Sequence, residues 1–160
     1  IGSIISRTYY HNMVTHLLEA AYQREVYKKV DNGESLTAPV LNKLMRNVYE
    51  QFFGDAVELT DGMELTWMRQ PHYYMGLYSY TYSAGLTIGT VVSQKIKKEG
   101  QKAVDAWLET LKAGGSKNPV ELAKVAGVDI TTNAPLKSTI AYISELVDEV
   151  EILTNEIEHN

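Results

Sequence analysis

The chain has 160 residues, of which 44 % are apolar and 22 % charged, a composition that excludes a disordered polymer and gives one domain's worth of core. Fifteen basic residues against twenty acidic ones leave a net charge of −5, which argues against nucleic acid as a partner. Cysteine is absent, so a disulfide scaffold, a thiol nucleophile and a thiolate metal site are excluded, and a reducing cytoplasm is the expected compartment.

The opening run Ile1-Gly2-Ser3-Ile4-Ile5-Ser6-Arg7 lacks a basic region followed by a long apolar stretch, so it is no signal peptide. Without an initiator Met the chain reads as cut from something longer. A first helix is expected from about Ser3 to Asp31, ended by Asp31-Asn32-Gly33. Its stretch Thr8 to Leu18 carries no formal charge apart from two histidines, which predicts that most of its sides are covered. Thr37 caps a second helix with Pro39 in its first turn and Gly54 just past its end. Val40, Leu41, Leu44, Met45, Val48 and Phe52 follow the spacing of a core stripe on it. A short helix around Asp61–Met68 precedes Pro71.

Residues 70–94 carry no Asp, Glu, Lys or Arg, which is long enough to span a bilayer. The stretch also holds His72, five tyrosines and six Ser/Thr residues, polar surface that is costly in lipid and easily satisfied in a protein interior or cleft. It is read as a buried helix with a polar task, from about Leu77 to Lys98, and no membrane is expected as partner. Another helix follows from Gln101 to Ala113. Asn118-Pro119-Val120-Glu121 reads as cap, proline and acidic N3, with Gly127 as the stop. The last helix starts near Pro135 and puts Leu136, Ile140, Ile143, Val147, Val150 and Ile157 on one stripe. From Ser138 it has six acidic residues and no Lys or Arg, a solvated face. No repeat or linker is visible. The expectation is one all-α unit over residues 1–160, without substantial sheet.

Few catalytic motifs survive inspection. His11 and His16 are five residues apart, not the four of H-E-x-x-H, and on an α-helix that spacing sets their rings roughly 140° apart. No metal site is therefore assigned within the chain. Phosphate-binding glycine loops and the G-x-S-x-G elbow are absent. Five of the eleven tyrosines fall between positions 73 and 82, directly after His72. Tyr78 and Tyr82 share a helix face, whereas Tyr80 points elsewhere. A neutral phenol can aim its O–H at developing negative charge, and a histidine beside it can donate as well. This set suits an oxyanion and lacks a nucleophile or metal of its own. Tyrosines replacing phenylalanines in a wet helical core remain the simpler structural reading.

A wider ordered set of motifs surrounds this segment. It comprises Arg7-Thr8-Tyr9-Tyr10-His11-Asn12, Gly33-Glu34-Ser35-Leu36-Thr37, Phe52-Phe53-Gly54-Asp55, Trp67-Met68-Arg69-Gln70-Pro71-His72-Tyr73-Tyr74 and Tyr78-Ser79-Tyr80-Thr81-Tyr82-Ser83-Ala84-Gly85. The run from Leu111 through Gly114-Gly115-Ser116 to Gly127-Val128-Asp129 completes it. With these motifs the chain resembles the C-terminal part of oligoendopeptidase F, in the thimet-oligopeptidase family of zinc metallopeptidases. The resemblance implies a mostly helical fold with a deep channel, in which a zinc-bound water and a glutamate base hydrolyse short peptides. It also implies that His72, Tyr78 and Tyr80 serve as catalytic donors to substrate and oxyanion, with His72, Tyr73 and Tyr74 binding substrate. The family's H-E-x-x-H lies N-terminal to everything matched and is missing here. The expectation is a C-terminal fragment that needs the N-terminal, zinc-bearing part as its partner and neither holds zinc nor cleaves peptides alone. The competing expectation is a stand-alone helical module that binds a partner protein without catalysis.

Overall fold

The computed structural model describes residues 1–159. Among them every regular element is helical and no strand occurs, in line with the all-α expectation. A π-helical segment, Ile4–Thr15, leads into α1 (His16–Asp31). Helix α2 (Ala38–Phe53) follows, then three short 3₁₀ segments, Gly54–Ala56, Met63–Met68 and Pro71–Tyr74. The chain continues through α3 (Tyr80–Glu99), α4 (Gln101–Ala113), α5 (Pro119–Val125) and α6 (Ala134–Glu158).

These elements gather into two compact units, residues 11–83 and residues 1–10 with 84–159. In the first unit α1 and α2 bury Leu18, Tyr22, Met45 and Val48 between them, with Leu41, Leu44, Phe53, Trp67 and Tyr73 packed around. The expected α2 stripe supplies much of this core. Met45 is fully enclosed, and truncating such a side chain to Ala costs about 2–5 kcal/mol. Two hydrogen bonds fasten the following 3₁₀ segment to α2: Trp67 Nε1 donates to Asn42 Oδ1 at 2.7 Å, and the Tyr49 hydroxyl pairs with Thr66 Oγ1 at 2.7 Å. In the second unit Val92, Ala126 and Val128 form the core, with Ile88, Val91, Ile96, Trp107 and Ile130 against it. There the Tyr9 hydroxyl pairs with Thr90 Oγ1 at 2.8 Å.

Four sequence expectations need correction. The first helix is not α-helical throughout, because its N-terminal half winds with i→i+5 hydrogen bonds. Nor is its uncharged stretch covered on most sides: Tyr9, Met13, His16 and Leu18 are buried, while Thr8, Tyr10, His11 and Leu17 are exposed. Helix α3 starts at Tyr80 rather than Leu77, since Gly76 and Leu77 both hold positive φ, +49° and +52°. Two consecutive left-handed residues end any right-handed turn that precedes them. The apolar stripe of α6 is not its covered face. Pro135, Thr139 and Leu146 are the buried residues, whereas Leu136, Ile140, Val147 and Ile157 are exposed. Leu136, Ile140 and Val147 lie roughly 100° around the helix from the buried set, whereas Ile157 lies on the buried set's side but near the helix end.

Candidate functional site

Helix α1 supplies the base of the site. His16 and Glu19 sit one turn apart at its start, 2 % and 9 % exposed. His16 Nδ1 lies 2.8 Å from Glu19 Oε2. The segment carrying His72 is laid against this helix by two contacts. Gln23 donates from Nε2 to the Tyr73 carbonyl at 3.3 Å, and the Tyr73 ring meets Tyr22 edge-on with centroids 5.1 Å apart. Gln70 Nε2 donates to Glu19 Oε1, and Ser79 Oγ donates to Glu19 Oε2 at 3.0 Å. Glu19 is thus a hub that ties both ends of residues 70–79 to α1. A buried carboxylate is tolerated because donors occupy both oxygens.

Above this hub the rings cluster. His72 Nδ1 lies 3.9 Å from Glu19 Oε2, and its Nε2 pairs with the Tyr82 hydroxyl at 3.3 Å. Tyr82 stacks on His16 with centroids 4.0 Å apart and planes inclined by 14°. Tyr78 meets Tyr82 edge-on at 5.4 Å and lies 5.4 Å from His72. Interaction with Tyr78, then partial burial, holds the Tyr82 phenol above its usual range, so it is a protonated donor at neutral pH. Ser83 Oγ donates to the Asn12 carbonyl at 2.5 Å and anchors the far end of this segment.

The structure brings His72 and Tyr78 together, with Tyr82 between them and His16. Tyr80, at the start of α3, is 52 % exposed and Tyr74 is 84 % exposed. Among the described residues, the aromatic rings against His72 are those of His16, Tyr78 and Tyr82. The Tyr73 hydroxyl is enclosed without a hydrogen-bond partner, and burial pushes its ionisation far up, helped by the Glu19 charge. Sequence reasoning singled out His16, but not its partners Glu19, Gln70 and Ser79. Only the pairing of Tyr82 with Tyr78 was signalled, by their spacing of four. The geometric ground for separating His11 from His16 also fails. The wider winding of the π-turn brings residues five apart closer to one face than an α-helix does, and these two rings meet edge-on with centroids 4.4 Å apart.

Among the described residues, His16, Glu19 and His72 bring three potential ligand atoms within 4.8 Å of one another. A zinc ion at about 2.0–2.2 Å from each ligand would hold neighbouring ligand atoms roughly 3.3 Å apart. The separation of His16 Nδ1 from Glu19 Oε2 is 2.8 Å, a hydrogen-bond length, and the same oxygen also accepts from Ser79. As they stand, these residues form a hydrogen-bonded hub, and the zinc site that the sequence resemblance implies belongs to the part N-terminal to everything matched. No helix among the described residues is long and apolar enough to cross a membrane.

The family model described as Peptidase family M3 matches residues 5–142. The chain belongs to peptidase family M3. It is similar to Oligopeptidase PepF of Bacillus subtilis (strain 168), 33 % identical over 141 residues that make up 88 % of this chain and 21 % of that protein. It is similar as well to an oligoendopeptidase F homolog of Borreliella burgdorferi, 26 % identical over 82 % of this chain and 22 % of that protein. Among solved structures, the crystal structure of oligoendopeptidase-F from Enterococcus faecium superposes with a TM-score of 0.87 at 27 % identity, over 92 % of this chain and 28 % of that one. This M3 chain thus spans about a fifth of the length of the curated relatives it matches. Its helical fold is that of the oligoendopeptidase F-like M3 peptidases.

Proposed function

We propose that this chain is the C-terminal, substrate-binding portion of a zinc oligoendopeptidase that hydrolyses short peptides. The observation that carries the reading is the cluster of His72, Tyr78 and Tyr82 on the Glu19 hub, in a chain of family M3. Hydrolysis of an amide needs donors placed where negative charge develops on the carbonyl oxygen. Phenols and an imidazole held by packing and hydrogen bonds meet that need without reorganising during the reaction. His72, Tyr78 and Tyr80 are assigned to substrate and oxyanion. Tyr74, wide open to solvent, is assigned to the bound peptide. Tyr73 contributes by its ring, which keeps the His72 segment on α1.

Zinc, in this reading, is held by residues of the N-terminal part of a longer polypeptide, which is the partner of this chain. The exposed apolar stripe of α6 and exposed Leu108 and Leu111 of α4 support a chain built to be covered further. The isolated chain is expected to contain no stoichiometric zinc and to leave fluorogenic peptides uncut. Stoichiometric zinc together with turnover would sink that expectation. In a polypeptide that includes the zinc-bearing part, His72→Ala and Tyr80→Phe are each expected to lower kcat about 10²-fold with folding intact. Unchanged turnover in both variants returns these residues to packing.

A further inference from the structure

We propose that Glu19 is the positioning residue of this site: its carboxylate holds the Nδ1–H of His72, so that Nε2 is the edge that gains and loses a proton. The inference deepens the proposed function, on which its purpose rests, but it stands on geometry within residues 11–83. A carboxylate accepts hydrogen bonds and donates none. Its Oε1 takes Gln70, and its Oε2 takes Ser79 and His16. His16 therefore carries its proton on Nδ1. His72 Nδ1 faces the same oxygen at 3.9 Å and is buried without a hydrogen-bond partner of its own. A lone pair at that nitrogen would face the negative charge of the carboxylate, whereas an N–H there is attracted to it. The ring is thereby fixed as Nδ1–H, as happens wherever the group at one ring nitrogen selects the state of the other.

Two consequences follow at Nε2. In the neutral ring Nε2 accepts, and its partner is the Tyr82 O–H at 3.3 Å. In the imidazolium both nitrogens carry protons, and the Nε2–H is the donor that the proposed function asks of His72. The titratable groups that face His72 are Glu19 and His16 from α1, Tyr82 from α3 and Tyr78 just before it. Among these Glu19 supplies the negative charge. Its influence on the substrate is exerted wholly through His72.

The test is long-range ¹H–¹⁵N spectroscopy of the histidine rings in the labelled chain, followed through its pH titration. Wild-type His72, once neutral, is expected to favour Nδ1–H over Nε2–H by about tenfold or more, given an ionic partner 3.9 Å away. Glu19→Gln, which keeps shape and removes charge, is expected to cut that ratio severalfold; Ser79→Ala, which keeps the carboxylate, should preserve it. A dominant Nε2–H form in the wild type overturns the proposal even if Glu19→Gln fails to fold. An unchanged ratio in a folded Glu19→Gln overturns it too. So does stoichiometric displacement of the His16 and His72 ring signals by added zinc, which would make this a metal site. None of these readouts uses peptidase activity, so failure here is distinct from failure of the proposed function.

Discussion

At position 73 the environment matters more than the chemistry of the side chain. The Tyr73 hydroxyl is buried without a partner, and desolvation, then the charge of Glu19, drives its ionisation well above the ordinary phenol value of 10.0. Removing an unpaired buried hydroxyl deletes a penalty, so Tyr73→Phe is expected to be neutral or stabilising by up to about 1 kcal/mol at pH 8. The pH dependence has a definite sign. Above about pH 10 the unfolded phenol releases its proton while the folded one keeps it, so the native state binds more protons and stability falls as pH rises. Tyr22, raised by burial in the same way, adds to the fall. Urea denaturation at pH 8 and pH 11 should show a smaller alkaline loss in Tyr73→Phe than in the wild type. An equal loss in both would mean that Tyr73 is solvated. The adjoining backbone is also testable. Leu77 adopts φ +52°, a conformation that costs a residue with a Cβ about 1–2 kcal/mol. Leu77→Gly should therefore recover part of that cost, offset by the entropy of glycine, whereas Gly76→Ala should lose about 1 kcal/mol through backbone strain. No atom crowds an added Cβ at Gly76, the nearest being the Tyr27 hydroxyl at 4.0 Å.

Helix ends were legible in the sequence wherever local chemistry alone determines them. Asn118 accepts from the Glu121 N–H at 3.0 Å while the Glu121 carboxylate takes the Asn118 N–H at 3.3 Å. Both partners lie within four residues, so the motif could be read without the fold. Asn118→Ala should cost about 1 kcal/mol in thermal or urea unfolding, and no measurable loss would show that α5 is held by packing alone. Gly127, at φ +75°, closes the same element, and its carbonyl accepts from Lys95 Nζ at 3.1 Å. What was not legible depends on distance along the chain. Glu19 looks like any acidic residue of a helix; its donors Gln70 and Ser79 lie 51 and 60 residues downstream. The π-winding of residues 4–15 escaped for another reason. Periodicity analysis assumes 3.6 residues per turn, and a change of winding moves every face it assigns. For that reason the 140° separation expected of His11 and His16 gives way in the fold to a ring contact.

On the scale of the whole molecule, α6 shows what composition conceals. Its acidic residues are exposed, as expected of a solvated face, and yet Ile140, Val147, Ile152 and Ile157 are exposed beside them. Ile140 and Val147 thus leave an exposed apolar strip on α6, in a chain that spans about a fifth of the length of its curated relatives. The net charge of −5 opposes association of like chains, while burial of apolar area favours it at about 25 cal/mol per Å². Salt separates these effects. The isolated chain is expected to sediment faster as its concentration rises, and more so at 0.5 M salt, where the Debye length shrinks to about 4–5 Å. Ile140→Lys combined with Val147→Lys touches exposed positions, so unfolding should change by less than about 1 kcal/mol in all. The same pair should suppress the concentration dependence. A chain that stays monomeric at every concentration and salt, or a variant that associates as the wild type does, would mean that the α6 stripe is not the adhesive face.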